Sequence, residues 1–131
     1  EKHDKLKYDL ALNLRAIVAQ QLVPTADGES RVAAIEILLN SPMVAELIKN
    51  GDIGGIKEAM AKSKEMGMQT FDQALFELYR QQRINYADVL HHADSPNDLR
   101  LMIKLRNNEQ QGAGFLQGVT IDGLDDKNSD Q

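Results

Sequence analysis

The chain has 131 residues, a formal net charge of −5 and no cysteine, which is enough length for one compact domain or parts of two. The lack of cysteine excludes disulfides and thiolate metal sites, and the acidic balance lacks the basic excess of a nucleic-acid binder. No apolar run approaches the roughly 18 residues of a membrane span and no signal peptide is visible, so we expect a cytoplasmic protein without direct membrane insertion. Because the chain opens on Glu1 within an amphipathic pattern, we also expect it to be part of a longer protein.

The first forty residues predict one helix followed by a pair of strands. Apolar residues recur at helical spacing from Leu6 onward, which predicts an amphipathic helix ending near Gln20 or Gln21. A short extended piece, residues 22–24, and an Asp-Gly turn signal precede an almost wholly apolar run, residues 32–39. We therefore predict an antiparallel pair whose second strand is covered on both faces.

Glu36 is the one charged residue inside that apolar run. A buried carboxylate is costly unless it is paired, and Arg31 or Arg15 would be suitable partners. A structural ion pair, an edge-strand position, and a role at a nucleotide site or subunit interface are the interpretations that the sequence allows.

A capped helix is predicted directly after the strand, over residues 42–50. Ser41 can accept a hydrogen bond from the first turn, and Pro42 fits the first helical position because it has no amide hydrogen. Lys49 lies near the negative end of the helix dipole, and Gly51 can adopt the left-handed conformation that ends a helix. The apolar residues predict a buried stripe and the polar ones a solvated face: Met43, Val44, Leu47 and Ile48 against Glu46, Lys49 and Asn50.

Four more helical segments follow, and short loops between them predict a compact helical bundle. Three of them open on capping residues: Thr70 with Gln73, Asn85, and Ser95 with Pro96 and Asp98. From Asn107 the periodicity disappears, and residues 107–131 hold five acids and one base, a net charge of −4. We predict a disordered acidic tail there.

The residues contain no recognisable catalytic site. None of the nine glycines is followed by lysine, so a phosphate-binding loop is missing, and Gly54-Gly55 is interpreted as a loose helix start. His91 and His92 are adjacent on a predicted helix and point about 100° apart, so we interpret them as surface residues rather than metal ligands. We predict neither a catalytic residue nor a metal site in this chain.

Several separate blocks of the chain, in order and spacing, resemble the motor ATPases of type IV pili. The blocks are residues 13–24, Gly28, 31–37, 40–42, 67–75 and 94–105. In assembly-type relatives a four-cysteine zinc module follows the strand at 21–24, whereas this chain continues into the next strand. This favours the retraction branch, the PilT/PilU family, and the last block is similar to its PilU branch.

The resemblance identifies two groups of site residues. One is a helix that matches the position of a retraction-associated motif: Pro42, Val44, Glu46, Leu47, Ile48 and Lys49. Its apolar positions and second basic position are kept, but Ala45 and Glu46 replace an arginine and its neighbour. The other group is a structural family motif: Gly67, Met68, Gln69 and Thr70.

The resemblance implies a mostly helical α+β fold. Residues 1–41 would be the last helix and strands of a RecA-like α/β core, residues 42–106 a helical C-terminal domain, and 107–131 the disordered tail. The Walker A loop, Walker B acid and His-box would lie upstream of Glu1, so the fragment itself would be catalytically silent and need no cofactor.

The longer parent would be a homohexameric ATPase that binds ATP and Mg²⁺ and powers pilus retraction and twitching motility. Its partners would be further copies of itself, a paralogous PilT motor and the inner-membrane platform protein PilC, and it would work at the cytoplasmic face of that membrane. This fragment would serve coupling and subunit contacts. The alternative is a free-standing helical interaction module that was never part of an ATPase.

Overall fold

A computed structural model describes residues 2–117 of the chain. Two strands stand among six helices and one 3₁₀ turn in this part of the chain. In order, these are α1 (Lys2–Asn13), β1 (Ala16–Pro24), β2 (Arg31–Leu39), α2 (Pro42–Asn50), α3 (Ile53–Lys62), the turn Lys64–Met66, α4 (Phe71–Arg80), α5 (Tyr86–His92) and α6 (Pro96–Gln117). No helix in the described range is both long and apolar enough to cross a membrane.

The two strands pair antiparallel, as the sequence predicted, with Ala16 opposite Leu39 and Pro24 opposite Arg31. The connecting turn is closed locally, since the Thr25 hydroxyl donates to the Asp27 carboxylate at 2.5 Å. This hydrogen bond, with one from the Glu29 amide, lowers the pKa of Asp27 below its ordinary value.

The predicted end of the first helix was wrong by several residues. The helix ends at Asn13, and Ile17 and Val18, which lie within its predicted range, belong to β1 instead. Asn13 donates its side-chain amide back to the Asp9 carbonyl at 2.9 Å, a local contact that is common where a helix ends. Strand pairing with Ile37 and Leu38 then fixes an extended backbone.

Strand β2 is covered on one face rather than on both. Val32, Ala34 and Leu38 are buried, whereas the alternate residue Ile35 keeps 37% of its surface exposed. The covered face lies against α4, and the sheet has two strands in the described residues. The apolar run therefore reflects side chains on both faces, of which the described part of the chain covers one.

The larger of two hydrophobic clusters, here called the large core, joins the first half of β2 to α4, α5 and α6. Its buried members are Val23, Val32, Ala34, Ala74, Leu75, Leu78, Ile84, Val89, Leu99 and Ile103. Leu75 and Leu99 are fully buried. Together the last three helices cover the inner face of the hairpin.

The second cluster, here called the small core, consists of Leu38, Val44, Met60 and Met68. It joins the far end of β2 to α2 and α3, with Leu14, Leu39, Ile48 and Ile56 packed around it. Helix α1 lies against α2 on the other side. Each of the two cores therefore holds one half of β2.

Helix α6 continues eleven residues beyond its predicted end and reaches Gln117. The prediction of disorder from Asn107 was wrong for this stretch, and residues 118–131 lie outside the described part of the chain. Residues 108–114 are exposed. The absence of apolar periodicity therefore indicates that this stretch does not pack against other elements, although it is helical. Residues 109–111 and Ala113 have good intrinsic helix propensity, and the helix continues through Gly112 and Gly114, which do not.

Candidate functional site

Helix α2, which carries the first predicted group of site residues, has both of its predicted caps. The Ser41 hydroxyl accepts the Val44 amide at 3.2 Å, and Pro42 occupies the first turn. At the other end Gly51 has φ 69°, the left-handed conformation, and donates its amide to the Ile48 carbonyl at 3.0 Å. Local chemistry therefore fixes both ends of this nine-residue helix.

The predicted buried stripe of α2 is confirmed at three of its four positions. Val44 is fully buried in the small core, and Leu47 and Ile48 are half-buried. Met43 keeps 65% of its surface exposed, so its assignment to the core was wrong. Met43 shares its side of the helix with Glu46, one turn later, and Asn50, two turns later, and both of these residues are exposed.

The polar residues of α2 point outward, with one difference between them. Glu46 and Asn50 are exposed. Lys49 is also exposed, but its ammonium lies 6.0 Å from the centroid of the Tyr8 ring on α1. A cation at that distance over an aromatic face is attracted by the ring. Lys49 therefore contacts α1 while it stays exposed to solvent, as Glu46 is.

Helix α3 approaches α2 closely because its third residue is a glycine. A Cβ on Gly55 would lie 2.9 Å from the Leu47 methyl and 2.5 Å from the Asp52 carboxylate. The same carboxylate caps α3 by accepting the Gly55 amide at 2.9 Å. Gly54-Gly55 is thus a capped and closely packed helix start rather than a loose one.

The second predicted group, Gly67 to Thr70, connects the small core to the large core. Gly67 has φ 93° and turns the chain, and Met68 is buried in the small core. Gln69 then pairs with β2, exchanging two backbone hydrogen bonds with Ile37 at 2.8 and 3.0 Å and donating its side-chain amide to the Ile35 carbonyl at 2.7 Å. This third strand-like contact had no signal in the sequence periodicity.

Thr70 opens α4 with the predicted capping box. Its hydroxyl accepts the Gln73 amide at 3.2 Å, and the Gln73 side chain accepts the Thr70 amide at 3.1 Å. The amide group of Gln73 also donates to the Ala61 carbonyl at the end of α3 at 2.9 Å. One residue of the cap therefore joins α3 to α4.

Glu36 satisfies its charge at the start of α4 rather than with an arginine. Its carboxylate accepts the Phe71 amide at 3.0 Å, where the helix dipole and a free N–H both favour an anion. Neither Arg31 nor Arg15 forms an ion pair with it in the described residues. The structure assigns Glu36 a structural contact between sheet and helix.

Asp72 is a residue of this junction that the sequence did not reveal. Its carboxylate accepts the amides of Asp94 and Ser95 at 2.8 and 2.9 Å, just before α6. The predicted cap Ser95 instead donates its hydroxyl to Asp98 at 2.7 Å. The pattern gave no signal because the acceptor comes from a helix more than twenty residues earlier.

A long-range ion pair joins the same region to α3. The Lys57 ammonium lies 2.5 Å from the Asp94 carboxylate, which raises the pKa of Lys57 above its ordinary value.

Asn85 was predicted to cap α5, but its side chain donates to the Ala26 carbonyl at 3.2 Å and makes no cap hydrogen bond. The Nδ1 atom of His92 lies 3.1 Å from the side-chain amide nitrogen of Gln21, which connects α5 to β1.

Among the described residues, the Gly-Gly helix start is the place to consider for a phosphate, and the acidic and histidine side chains are the groups to consider for a metal ion. The one Gly-Gly helix start carries the Asp52 carboxylate at its amides, an anion where a phosphate would have to bind. Among residues 2–117 no three acidic or histidine side chains are placed to hold a metal ion.

Comparison with known proteins gives a consistent result. The chain is 52% identical over 128 residues, 96% of its length, to the type IV pilus ATPase PilU of Pseudomonas aeruginosa. It is 42% identical over 72 residues, 55% of its length, to a twitching motility protein of Neisseria gonorrhoeae. The chain spans 34% of the first relative and 19% of the second. No protein-family model matches it.

The fold has a counterpart among solved structures. A crystal structure of the pilus retraction motor PilT with bound ADP aligns with 74% of this chain and 26% of its own, at a TM-score of 0.59 and 28% identity. The mostly helical fold with its strand pair is thus similar to part of that ATPase.

Proposed function

Because this chain belongs to the PilT/PilU family of pilus ATPases, we propose that it is a C-terminal part of a motor ATPase that powers type IV pilus retraction. The observation that carries the proposal is the 52% identity over 96% of the chain. The aligned residues include the strand pair, the junction from Gly67 to Thr70 and the helices. It therefore favours the motor over a free-standing interaction module.

In the proposed motor, residues 1–41 are the edge of a RecA-like core and 42–106 a C-terminal helical domain. The hydrolysing residues, ATP and Mg²⁺ belong to the part of the parent outside this chain. The parent works as a homohexamer at the cytoplasmic face of the inner membrane, beside a PilT paralogue and beneath the platform protein PilC. The chain itself is expected not to bind ATP, which calorimetry with ATP and Mg²⁺ tests.

The proposed task of α2 is to couple ATP hydrolysis to work. It follows β2 directly, Val44 anchors it in the small core, and Glu46 projects outward. A movement of the sheet reaches α2 through the shared core, since packed side chains move as a unit. Glu46, Lys49 and Asn50 are then presented to a neighbouring subunit or to the platform.

The test is a double variant of the full-length protein, Glu46→Ala with Lys49→Ala. Exposed substitutions usually change stability by less than about 0.5 kcal/mol, so hexamers and ATP turnover should persist while twitching falls. The matched control is Glu58→Ala with Lys62→Ala, an exposed pair on α3 with the same charges. Loss of both ATP turnover and twitching would place α2 in the hydrolytic machinery. Loss of neither would leave it a solvated face.

A further inference from the structure

Two adjoining cavities on the outer side of α4, α5 and α6 form a groove with cationic walls. Their volumes are 430 and 540 Å³, and they share Tyr79, Tyr86 and Asn107. The cations of α6 that define this basic groove are Arg100, Lys104 and Arg106, whereas Arg80, which also lines it, is paired with Glu77. Within the described residues no aspartate or glutamate lines either cavity.

The three cations on α6 have no carboxylate partner among the described residues. Arg100 donates to the neutral Asn97 side chain at 2.9 Å, and the Arg106 guanidinium lies 6.0 Å from the Phe76 ring centroid. Among the described residues neither of them, nor Lys104, forms an ion pair. Three positive charges therefore lie along one stretch of α6.

The groove also exposes apolar surface. Tyr86 keeps 44% and Leu101 keeps 56% of its surface exposed, and the Tyr79 and Tyr86 rings lie 6.1 Å apart between centroids. A ligand that matches this surface carries several negative charges and at least one apolar side chain. The chain has such a segment in Asp122-Gly-Leu-Asp-Asp126, where Leu124 stands among three acids.

We propose that the acidic segment 122–126 docks on the basic groove of the same chain, with its carboxylates on Arg100, Lys104 and Arg106 and with Leu124 beside Tyr86. This interaction surface is independent of the proposed motor function. With segment 122–126 docked there, an external acidic partner reaches the outer face of α4, α5 and α6 only by displacing it.

The length of the chain permits this contact. Lys104 lies thirteen residues before Gln117 on α6, or about 20 Å along the helix axis. Asp125 lies eight residues after Gln117, which an extended chain spans in about 26–29 Å. The acidic segment can therefore turn back along α6 and reach Lys104.

The covalent connection favours this segment over an untethered acidic peptide. Exposed ion pairs are individually weak, so a free peptide would need a high concentration to occupy the groove. A short covalent tether holds its segment at an effective concentration on the order of millimolar. Weak contacts then suffice, and they should respond strongly to salt.

The absence of cysteine allows a direct test on the full 131-residue chain. A nitroxide attached at Ser129→Cys should broaden the amide signals of Tyr86 and Arg100 at low ionic strength. The signals should recover in about 1 M salt, where the Debye length is about 3 Å. They should also recover in the charge-reversal variant Arg100→Glu with Lys104→Glu.

Two further variants keep the result interpretable. Asp122→Asn with Asp125→Asn and Asp126→Asn leaves the groove intact and should abolish the broadening. Lys2→Glu with Lys5→Glu, two exposed changes on α1 with the same charge reversal, should preserve it. Broadening that is absent at low salt, or that survives either groove or tail variant, overturns the proposal. So does broadening seen only between ¹⁵N-labelled molecules and separate nitroxide-labelled copies, since the occupant would then be a second chain.

Discussion

The large core and the small core hold the two halves of β2 with different side chains. Ten buried residues, all valine, leucine, isoleucine or alanine, build the large core, whereas two of the four residues in the small core are methionines. Methionine has three rotatable bonds and adapts to irregular gaps, while branched side chains have few rotamers. The difference teaches that the packing around α2 can adjust more readily than the packing under α4 to α6.

This difference in packing fits the proposal that α2 transmits movement while α4, α5 and α6 stay fixed. A helix that transmits movement needs an anchor that follows the sheet, and Val44 provides one in an adaptable cluster. The large core instead keeps its three helices in one arrangement. The junction from Gly67 to Thr70 joins the two, because Met68 is buried in one core and α4 contributes to the other.

Leu75→Ala should have the largest effect, a loss of about 2–4 kcal/mol in the free energy of unfolding. Leu75 is fully buried in the large core, whose stiff side chains cannot fill the resulting cavity. Urea melts measure the change, with Leu101→Ala on the exposed surface as the control. A loss below about 0.5 kcal/mol would show that the large core is not tightly packed.

Met68→Ala should cost less, about 2 kcal/mol, at the low end of the range for this substitution. Met68 is equally buried, but Met60 and the partly buried Ile48 surround it and can relax into the space. The conservative control Met68→Leu should cost under about 1.5 kcal/mol. If Met68→Ala costs more than Leu75→Ala, the distinction between an adaptable and a rigid core is wrong.

The sequence predicted structure well where neighbouring residues decide it. The caps at Ser41, Gly51 and Thr70 formed as expected, because each depends on groups within a few residues. The end of α1 was missed because Val18 fits a helical stripe, and only pairing with Ile37 makes it a strand residue. Local pattern carries no information about such a partner.

The candidate site shows the same division. The buried face of α2 could be predicted from its spacing, but the contact of Lys49 with Tyr8 depends on how α1 lies against it. Glu36 was expected to pair with an arginine and found a helix N-terminus instead. Asp72 gave no signal, because the amides that it accepts belong to a distant loop.

Gly55→Ala should destabilise the chain by about 1 kcal/mol relative to Gly54→Ala. Both substitutions gain helix propensity equally, but only the first places a methyl against Asp52 and Leu47. Asp52 must then give up its cap, which is worth about 1 kcal/mol. Thermal and urea melts of both variants decide the point. Equal stability would show that α2 and α3 separate without cost, which would extend the adaptability of the small core.

Lys57→Gln should weaken the connection between α3 and the loop before α6 by less than about 1 kcal/mol, because the ion pair of Lys57 with Asp94 is partly exposed. The raised pKa of Lys57 means that the stabilisation is complete below pH 10.5 and is lost as the pH rises through the folded value. Amide exchange of α3 at neutral pH should increase in the variant. Lys62→Gln, which breaks a pair within α3, is the control. Equal exchange in both variants would contradict a connecting role.

Loss of the ion pair between Glu77 and Arg80 should have the smallest effect on stability, and that effect should be confined to α4. Hydrogen bonds from Arg80 and Gln81 lower the pKa of Glu77 from 4.5 to about 2. A depressed folded pKa contributes stability that is present above the unfolded value and lost as the pH falls from 4.5 through about 2. Carboxyl NMR titration should find the low value, and Arg80→Gln should return it toward 4.5. Because the pair lies within one exposed helix turn, the same variant should accelerate amide exchange at the end of α4 and leave α2 unchanged. Faster exchange in α2 would mean that a surface charge of the large-core region controls the small core, and the two regions would then be one cooperative unit.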